Sequence, residues 1–283
     1  MRGRFRQVVG RRVGTHNEML VSQMTTYCME IYRARYFWTH LAFADIRSRW
    51  RRSFLGVAWS VAQPLGLTML MAVVFGKLFK QDIVEYVPYI LSGVITWDFF
   101  VVSLTSGSLS FVQADAYIKQ YRHPLAIYTL RTTLTNLMVL MMASLSLFGW
   151  ALIAKPHFFG WSWLASILIF PLAALIVWPL ATSLAYVGVR FRDLPHALSL
   201  VLTAMYFVSP IYFDARLFQE RGLGALVDYN PMYHLLEIVR APLLAGKWPT
   251  APNFATCGLT IFGLSVLAAL IGRTAERKVI FYL

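Results

Sequence analysis

Six stretches of the chain stay apolar long enough to cross a bilayer. A crossing takes about 20 residues, at about 1.5 Å of rise each through about 30 Å of hydrocarbon. The stretches lie at about 54–79, 86–112, 125–154, 164–189, 196–213 and 253–272. Ahead of the first, residues 33–52 (RARYFWTHLAFADIRSRWRR) interleave aromatic and aliphatic side chains with arginines. That pattern predicts an amphipathic helix lying in the membrane interface, rings among the headgroups and guanidinium groups toward phosphates. Residues 1–32 read as a loosely ordered arm. The link QADAYIKQYRHP (113–124) is short and polar and predicts one or two helical turns. Segment 214–252 is too apolar for a plain loop and too broken for two more spans. Its second half opens on Asn230–Pro231, an N-cap followed by proline at the first helical position. Two short re-entrant helices fit it, and backbone at that depth must border protein or a water-filled path.

Composition fixes the class. Of 283 residues 58% are hydrophobic and 14% charged, with mean hydropathy +0.57. A soluble domain carries about 25% charged residues, and no soluble fold of this length hides so much apolar surface. The pattern is that of an all-α polytopic membrane protein. The net charge of +13 sorts by side: 19 Lys and Arg with six acids fall on the side of both termini, seven cations with six acids on the other. Cationic loops stay in the cytoplasm, so both termini are expected there. The same sorting makes the basic excess a topology and lipid-headgroup signal rather than a nucleic-acid footprint.

Catalytic patterns are scarce. The sequence contains no G-x-x-x-x-G-K-[ST] phosphate loop, H-E-x-x-H, G-x-S-x-G or C-x-x-C. Cys28 and Cys257 make no metal pattern, and no two of the six histidines share an i, i+4 pairing, so no metal or cofactor is expected in this chain. Asp98 stands near the middle of the second span, either in a pathway wall or satisfied by Ser92 or Thr96. Arg131, about two turns inside the third, is expected to snorkel.

Several stretches together resemble the type 2 ABC permeases that export polysaccharides such as O-antigen, capsule, teichoic acid and galactan. They are RSRWRRSFLGVAWSVAQPL (47–65), YVPYILSGVITWDFF (86–100), YIKQYRHPLAIYTLR (117–131), RFRDLPHALSLVLTAMYFVSPIYF (190–213), NPMYHLLEIVRAPLLAG (230–246) and ERKVIFYL (276–283). The resemblance runs over residues 33–283, which would form one permease domain. It implies a homodimer of six-span subunits in the bacterial inner membrane, with two separate ATPase subunits that bind ATP and Mg. The expected cargo is a polysaccharide linked to a lipid diphosphate. On this pattern 33–52 is the interface helix, with Arg47, Arg49, Arg51 and Arg52 meeting the substrate headgroup. Asp115, Tyr117, Lys119 and Arg122 would contact the ATPase. Trp59, Trp97, Asp98, Tyr206, Phe207, Tyr212 and Phe213 would border the glycan path, and Phe218, Asn230, Glu237 and Arg240 the outer gate in 214–252. The competing expectations are a type 2 permease for drugs or small lipids, and a membrane-embedded glycosyl- or acyltransferase; the second needs a polar cluster at one face that the sequence does not show.

Overall fold

The computed structural model describes residues 16–51, 56–79, 82–121, 123–213 and 215–283. Residues 1–15 and the predicted functional arginines Arg52 and Arg122 lie outside the described residues. In chain order the helices are α1 (His16–Arg33), α2 (Arg35–Trp50), α3 (Trp59–Phe79), α4 (Ile83–Ser108), α5 (Ser110–Gln113), α6 (Asp115–Gln120), α7 (Ala126–Ala154), α8 (Trp163–Ser166), α9 (Ile169–Gly188), α10 (Leu194–Val208), α11 (Ala215–Glu220), α12 (Gly224–Asp228), α13 (Pro231–Ala245) and α14 (Ala251–Val279). Among the described residues there is no strand.

Among the described residues five helical stretches are long and apolar enough to cross a membrane: Gly56–Leu78, Ile83–Ser108, Ala126–Ala154, Trp163–Gly188 and Ala251–Glu276. The protein is a multi-pass helical membrane protein. The expected span at 196–213 is different. It holds the 15-residue helix α10, which rises about 22 Å and gives way at Ser209 to non-helical chain. Segment 214–252 also departs from expectation, with three helices (α11, α12 and α13) in place of two. The arm at 1–32 is not loosely ordered throughout, since α1 is helical from His16.

α4 is the centre of the bundle. From Val87 to Trp97 every residue but Tyr89 is buried, and the helix packs against α3, α7, α9, α10 and α13. Asp82 caps its start, its carboxylate accepting from the Val84 N–H at 2.8 Å. Small residues let α4 and α9 approach closely, as membrane helices require without a hydrophobic drive between them. An added Cβ at Gly107 would stand 2.8 Å from the Ala181 Cβ, and one at Gly188 only 1.9 Å from the Ser108 carbonyl oxygen.

The helices before the first span are tied to the bundle by contacts across the chain. α2 lies against α7 with Ala42 and Ile46 buried. Arg131 grips Asp45 with two hydrogen bonds of 2.6 and 2.5 Å from Nε and Nη2, a bidentate fork in place of the expected snorkelling. α1 reaches the far end of the chain: the Tyr27 hydroxyl donates to Glu276 Oε1 at 3.4 Å, the same oxygen accepts from the Leu125 N–H, and the Ala126 N–H donates to the Tyr27 oxygen. The N-terminus of α7 is therefore capped by side chains of α1 and α14. Burial, with the Glu276 charge beside it, pushes the Tyr27 phenol well above its ordinary pKa, so it stays a protonated donor.

Candidate functional site

α10 ends where local sterics stop it. Ser209 precedes Pro210, a position disfavoured in the helical region, and its backbone is extended (φ −87°, ψ 142°). The chain then runs through Ser209–Phe213 with no helical ladder. Carbonyl oxygens freed within a membrane protein need donors, and here side chains of α4 and α13 supply them. Arg240, only 3% exposed, donates from Nη1 to Pro210 O at 2.7 Å and from Nη2 to Ile211 O at 3.3 Å and Tyr89 O at 3.2 Å. Its Nε donates to Ser92 Oγ at 3.1 Å, and the guanidinium carbon lies 3.8 Å from the centre of the Tyr89 ring. The Tyr89 hydroxyl donates to Phe213 O at 2.8 Å, and the Tyr86 hydroxyl to Tyr212 O. No carboxylate pairs with Arg240 among the described residues; carbonyl dipoles and a ring face carry its charge instead.

Gly93 makes this approach possible. A Cβ there would stand 2.7 Å from the Ile211 Cγ2 and 3.1 Å from Arg240 Nη2. Asn230 ties in the far helix: its Oδ1 caps α13 by accepting from the Met232 N–H at 2.9 Å, and its Nδ2 donates to Ser209 Oγ at 3.1 Å. His234 pins α13 further through Asn253 Oδ1 at 2.9 Å and the Asp228 carbonyl at 2.8 Å.

Around this strap the rings form a continuous cluster. Trp97 lies 5.6 Å from Tyr206, Tyr206 5.2 Å from Tyr212, and Tyr212 5.4 Å from Phe75. Phe213 meets Phe75 edge-on at 6.1 Å, and Phe207 meets Tyr206 at 5.8 Å. The Tyr206 and Tyr212 hydroxyls are hydrogen-bonded to each other. Phe207 is 65% exposed, and Asp98 is exposed beside the cluster. The alternative placing of Asp98, as an acid satisfied by Ser92 or Thr96, is not what the fold shows. Those hydroxyls donate to the carbonyls of Tyr89 and Ser92.

Six of the seven residues expected along the path thus meet at one junction. Trp59 does not join them: it stands exposed at the other end of α3 from Phe75, about 24 Å away along the helix. Of the expected gate residues, Asn230 and Arg240 belong to the junction, while Phe218 lies half-buried on α11 and Glu237 half-buried on α13. Arg47, Arg49 and Arg51 are exposed at the end of α2. On α6, Lys119 pairs with Asp115 at 2.8 Å, both half in solvent. Tyr117 meets Phe37 of α2 edge-on at 6.1 Å, and Ile118 is buried. Phe75, Tyr86 and Tyr89 also belong to the site without a sign in the sequence reading, and Ser92 enters it as a partner of Arg240 rather than of Asp98. The pair Tyr86-x-x-Tyr89, one turn apart on α4, was the available signal.

These features define a helical membrane protein in which α10 breaks and the following chain is held by side chains of α4 and α13 beside a cluster of aromatic rings. The ABC-2 type transporter family model matches residues 37–244, and the chain belongs to that family. It is similar to the O-antigen export system permease protein RfbA of Myxococcus xanthus, 25% identical over 256 residues, covering 88% of this chain and 96% of that one. A Klebsiella pneumoniae protein of the same description is 25% identical over 82% of this chain and 91% of its own. The polysialic acid transport protein KpsM of Escherichia coli is 23% identical over 73% of this chain and 80% of its own.

Proposed function

We propose that this chain is the membrane subunit of an exporter that moves a polysaccharide, carried on a lipid diphosphate, out across the bacterial inner membrane, while a separate ATPase subunit hydrolyses ATP. The observation that carries the reading is the ring cluster Phe75–Trp97–Tyr206–Phe207–Tyr212–Phe213 at the broken end of α10. Ring faces hold sugars without a fixed hydrogen-bond register, so a polymer can slide along them. The names of the relatives, for O-antigen export and polysialic acid transport, support the same cargo class.

The remaining parts fit around that path. α10 and the non-helical strap Ser209–Phe213 together complete a sixth crossing. α11 to α13 then form the re-entrant outer segment, and both termini face the cytoplasm. Two copies meet through α3 and α10, whose exposed faces are apolar at Leu70, Val74, Leu200, Val201 and Met205. Arg47, Arg49, Arg51 and Arg52 attract the lipid diphosphate at the inner interface. α6 receives the ATPase, with Asp115, Tyr117, Lys119 and Arg122 facing it.

Two measurements test the reading. Replacing Tyr206 and Phe207 together by alanine is expected to cut glycan export about tenfold, two ring contacts being worth about 1–3 kcal/mol. Tyr206→Phe keeps the ring and should keep most of the export. Glycan export unchanged in the double alanine variant, at equal protein level, overturns the path. For coupling, Asp115→Lys or Lys119→Glu breaks a solvent-exposed pair worth about 0–1 kcal/mol, so folding should be untouched. Substrate-stimulated ATP hydrolysis is expected to disappear; if it persists in both variants, α6 is not the contact.

A further inference from the structure

A cavity of about 410 Å3 opens between the second half of α1, the start of α7, α9 and α14. It shares no residue with α3, α10 or α13 and so lies apart from the aromatic junction. Ser265, Ala268, Ala269 and Gly272 of α14 line it together with Trp178 and Pro179 of α9. Beside this wall α14 is apolar and exposed, at Phe262, Val266 and Leu270, so the cavity opens onto surface that hydrocarbon covers. One end of it is polar. Glu276 lies there, already engaged with the Tyr27 hydroxyl and the Leu125 N–H. Arg273 lines the same end and has no carboxylate partner among the described residues. Tyr186 separates this space from a smaller one of about 230 Å3 lined by Arg190 and Lys278, so cationic charge continues toward the end of the chain.

An apolar slot at hydrocarbon depth with an unpaired arginine at its polar end matches one ligand chemistry: an acyl chain attached to a phosphate. We infer that this cavity binds an anionic phospholipid of the bilayer, with a chain against Trp178, Pro179, Ala268 and Ala269 and the phosphate on Arg273. The lipid fills the space between α1 and α14 beside the Tyr27–Glu276 contact, and so steadies the cap on α7. The inference does not depend on the cargo.

Cys28 provides the readout. It lines the cavity and is exposed, whereas the other cysteine, Cys257, is buried. In the purified, delipidated full chain a maleimide should label Cys28 readily. Added phosphatidylglycerol at ten times its dissociation constant should slow labelling about tenfold, because only the empty fraction reacts. Phosphatidylcholine should protect less, and glycerol phosphate, which has no chain, not at all. Arg273→Gln should erase the difference between the two lipids, and Ala269→Phe should remove protection by both. Labelling that ignores phosphatidylglycerol overturns the site, equal protection by phosphatidylcholine overturns its anionic selectivity, and protection by glycerol phosphate overturns the role of the chain. The lipid titration uses the unaltered protein and does not depend on either variant folding.

Discussion

Replacing Arg240 by methionine is expected to destabilise the protein by about 2–5 kcal/mol. Methionine keeps most of the volume and removes every donor. The Ile211 carbonyl then loses the guanidinium as its donor, and the Pro210 carbonyl keeps only a weak approach from the Tyr89 hydroxyl at 3.3 Å. Each buried carbonyl left unmatched costs about 1–3 kcal/mol, and the ring contact with Tyr89 goes too. The Tyr89 carbonyl suffers less, since Ser92 Oγ also donates to it at 2.7 Å. Lysine restores the charge but presents a compact ammonium in place of a fork, so Arg240→Lys should fall between the two. The measurement is thermal unfolding of the purified chain in detergent, alongside the amount reaching the membrane. Gly93→Ala tests the same strap from the α4 side. Its methyl enters the space of Ile211, and the shift it forces should also loosen the Arg240 bonds. A methionine variant that melts with the wild type would show that the strap holds without the arginine.

The strap also shows where reading the sequence reaches its limit. Segment 196–213 is mostly apolar, and apolarity alone cannot tell a helix from an irregular chain whose carbonyls are satisfied elsewhere. Ser209–Pro210 was the one local sign of a break. The donors come from Tyr86, Tyr89 and Arg240, 29 to 126 residues away in the chain, and no window on the sequence joins them. Arg131 is a similar case: its depth suggested snorkelling, while its partner Asp45 sits 86 residues earlier on a helix outside the spans. α1 was missed for a related reason. It has no long apolar run, and its second half packs on the bundle through Ile31 and Tyr27. What depends only on local pattern was legible: five long apolar helices, the short helix at 115–120, and the Asn230–Pro231 cap. Trp97, Tyr206, Phe207, Tyr212 and Phe213 came from the family resemblance rather than from any periodicity of their own. That they meet with Phe75 was not legible, since the helix pairing comes from packing.

Gly188→Ala should have a larger effect than a methyl added at Gly93, Gly107 or Gly246. The new Cβ would sit 1.9 Å from the Ser108 oxygen and 2.9 Å from its carbonyl carbon. The obstacle is backbone, which has no rotamer to give way, so the ends of α4 and α9 must move apart by more than 1 Å. Overpacking of this kind costs about 1–3 kcal/mol, occasionally more. The neighbouring contact of Gly107 with Ala181 loosens with it. Gly149→Ala in α7 is the matched control. An added Cβ there meets nothing within 4 Å, and alanine gains up to about 1 kcal/mol of helix propensity over glycine. Thermal unfolding should therefore separate the two variants in opposite directions from the wild type. Placement adds a second consequence. Ser108 is the last residue of α4, immediately before α5 and α6, so displacing it moves the segment proposed to receive the ATPase. Gly188→Ala should lose stimulated ATP hydrolysis even at temperatures where it remains folded, while Gly149→Ala keeps it. If the two alanine variants melt and hydrolyse alike, the close crossing of α4 and α9 does not set the position of α6.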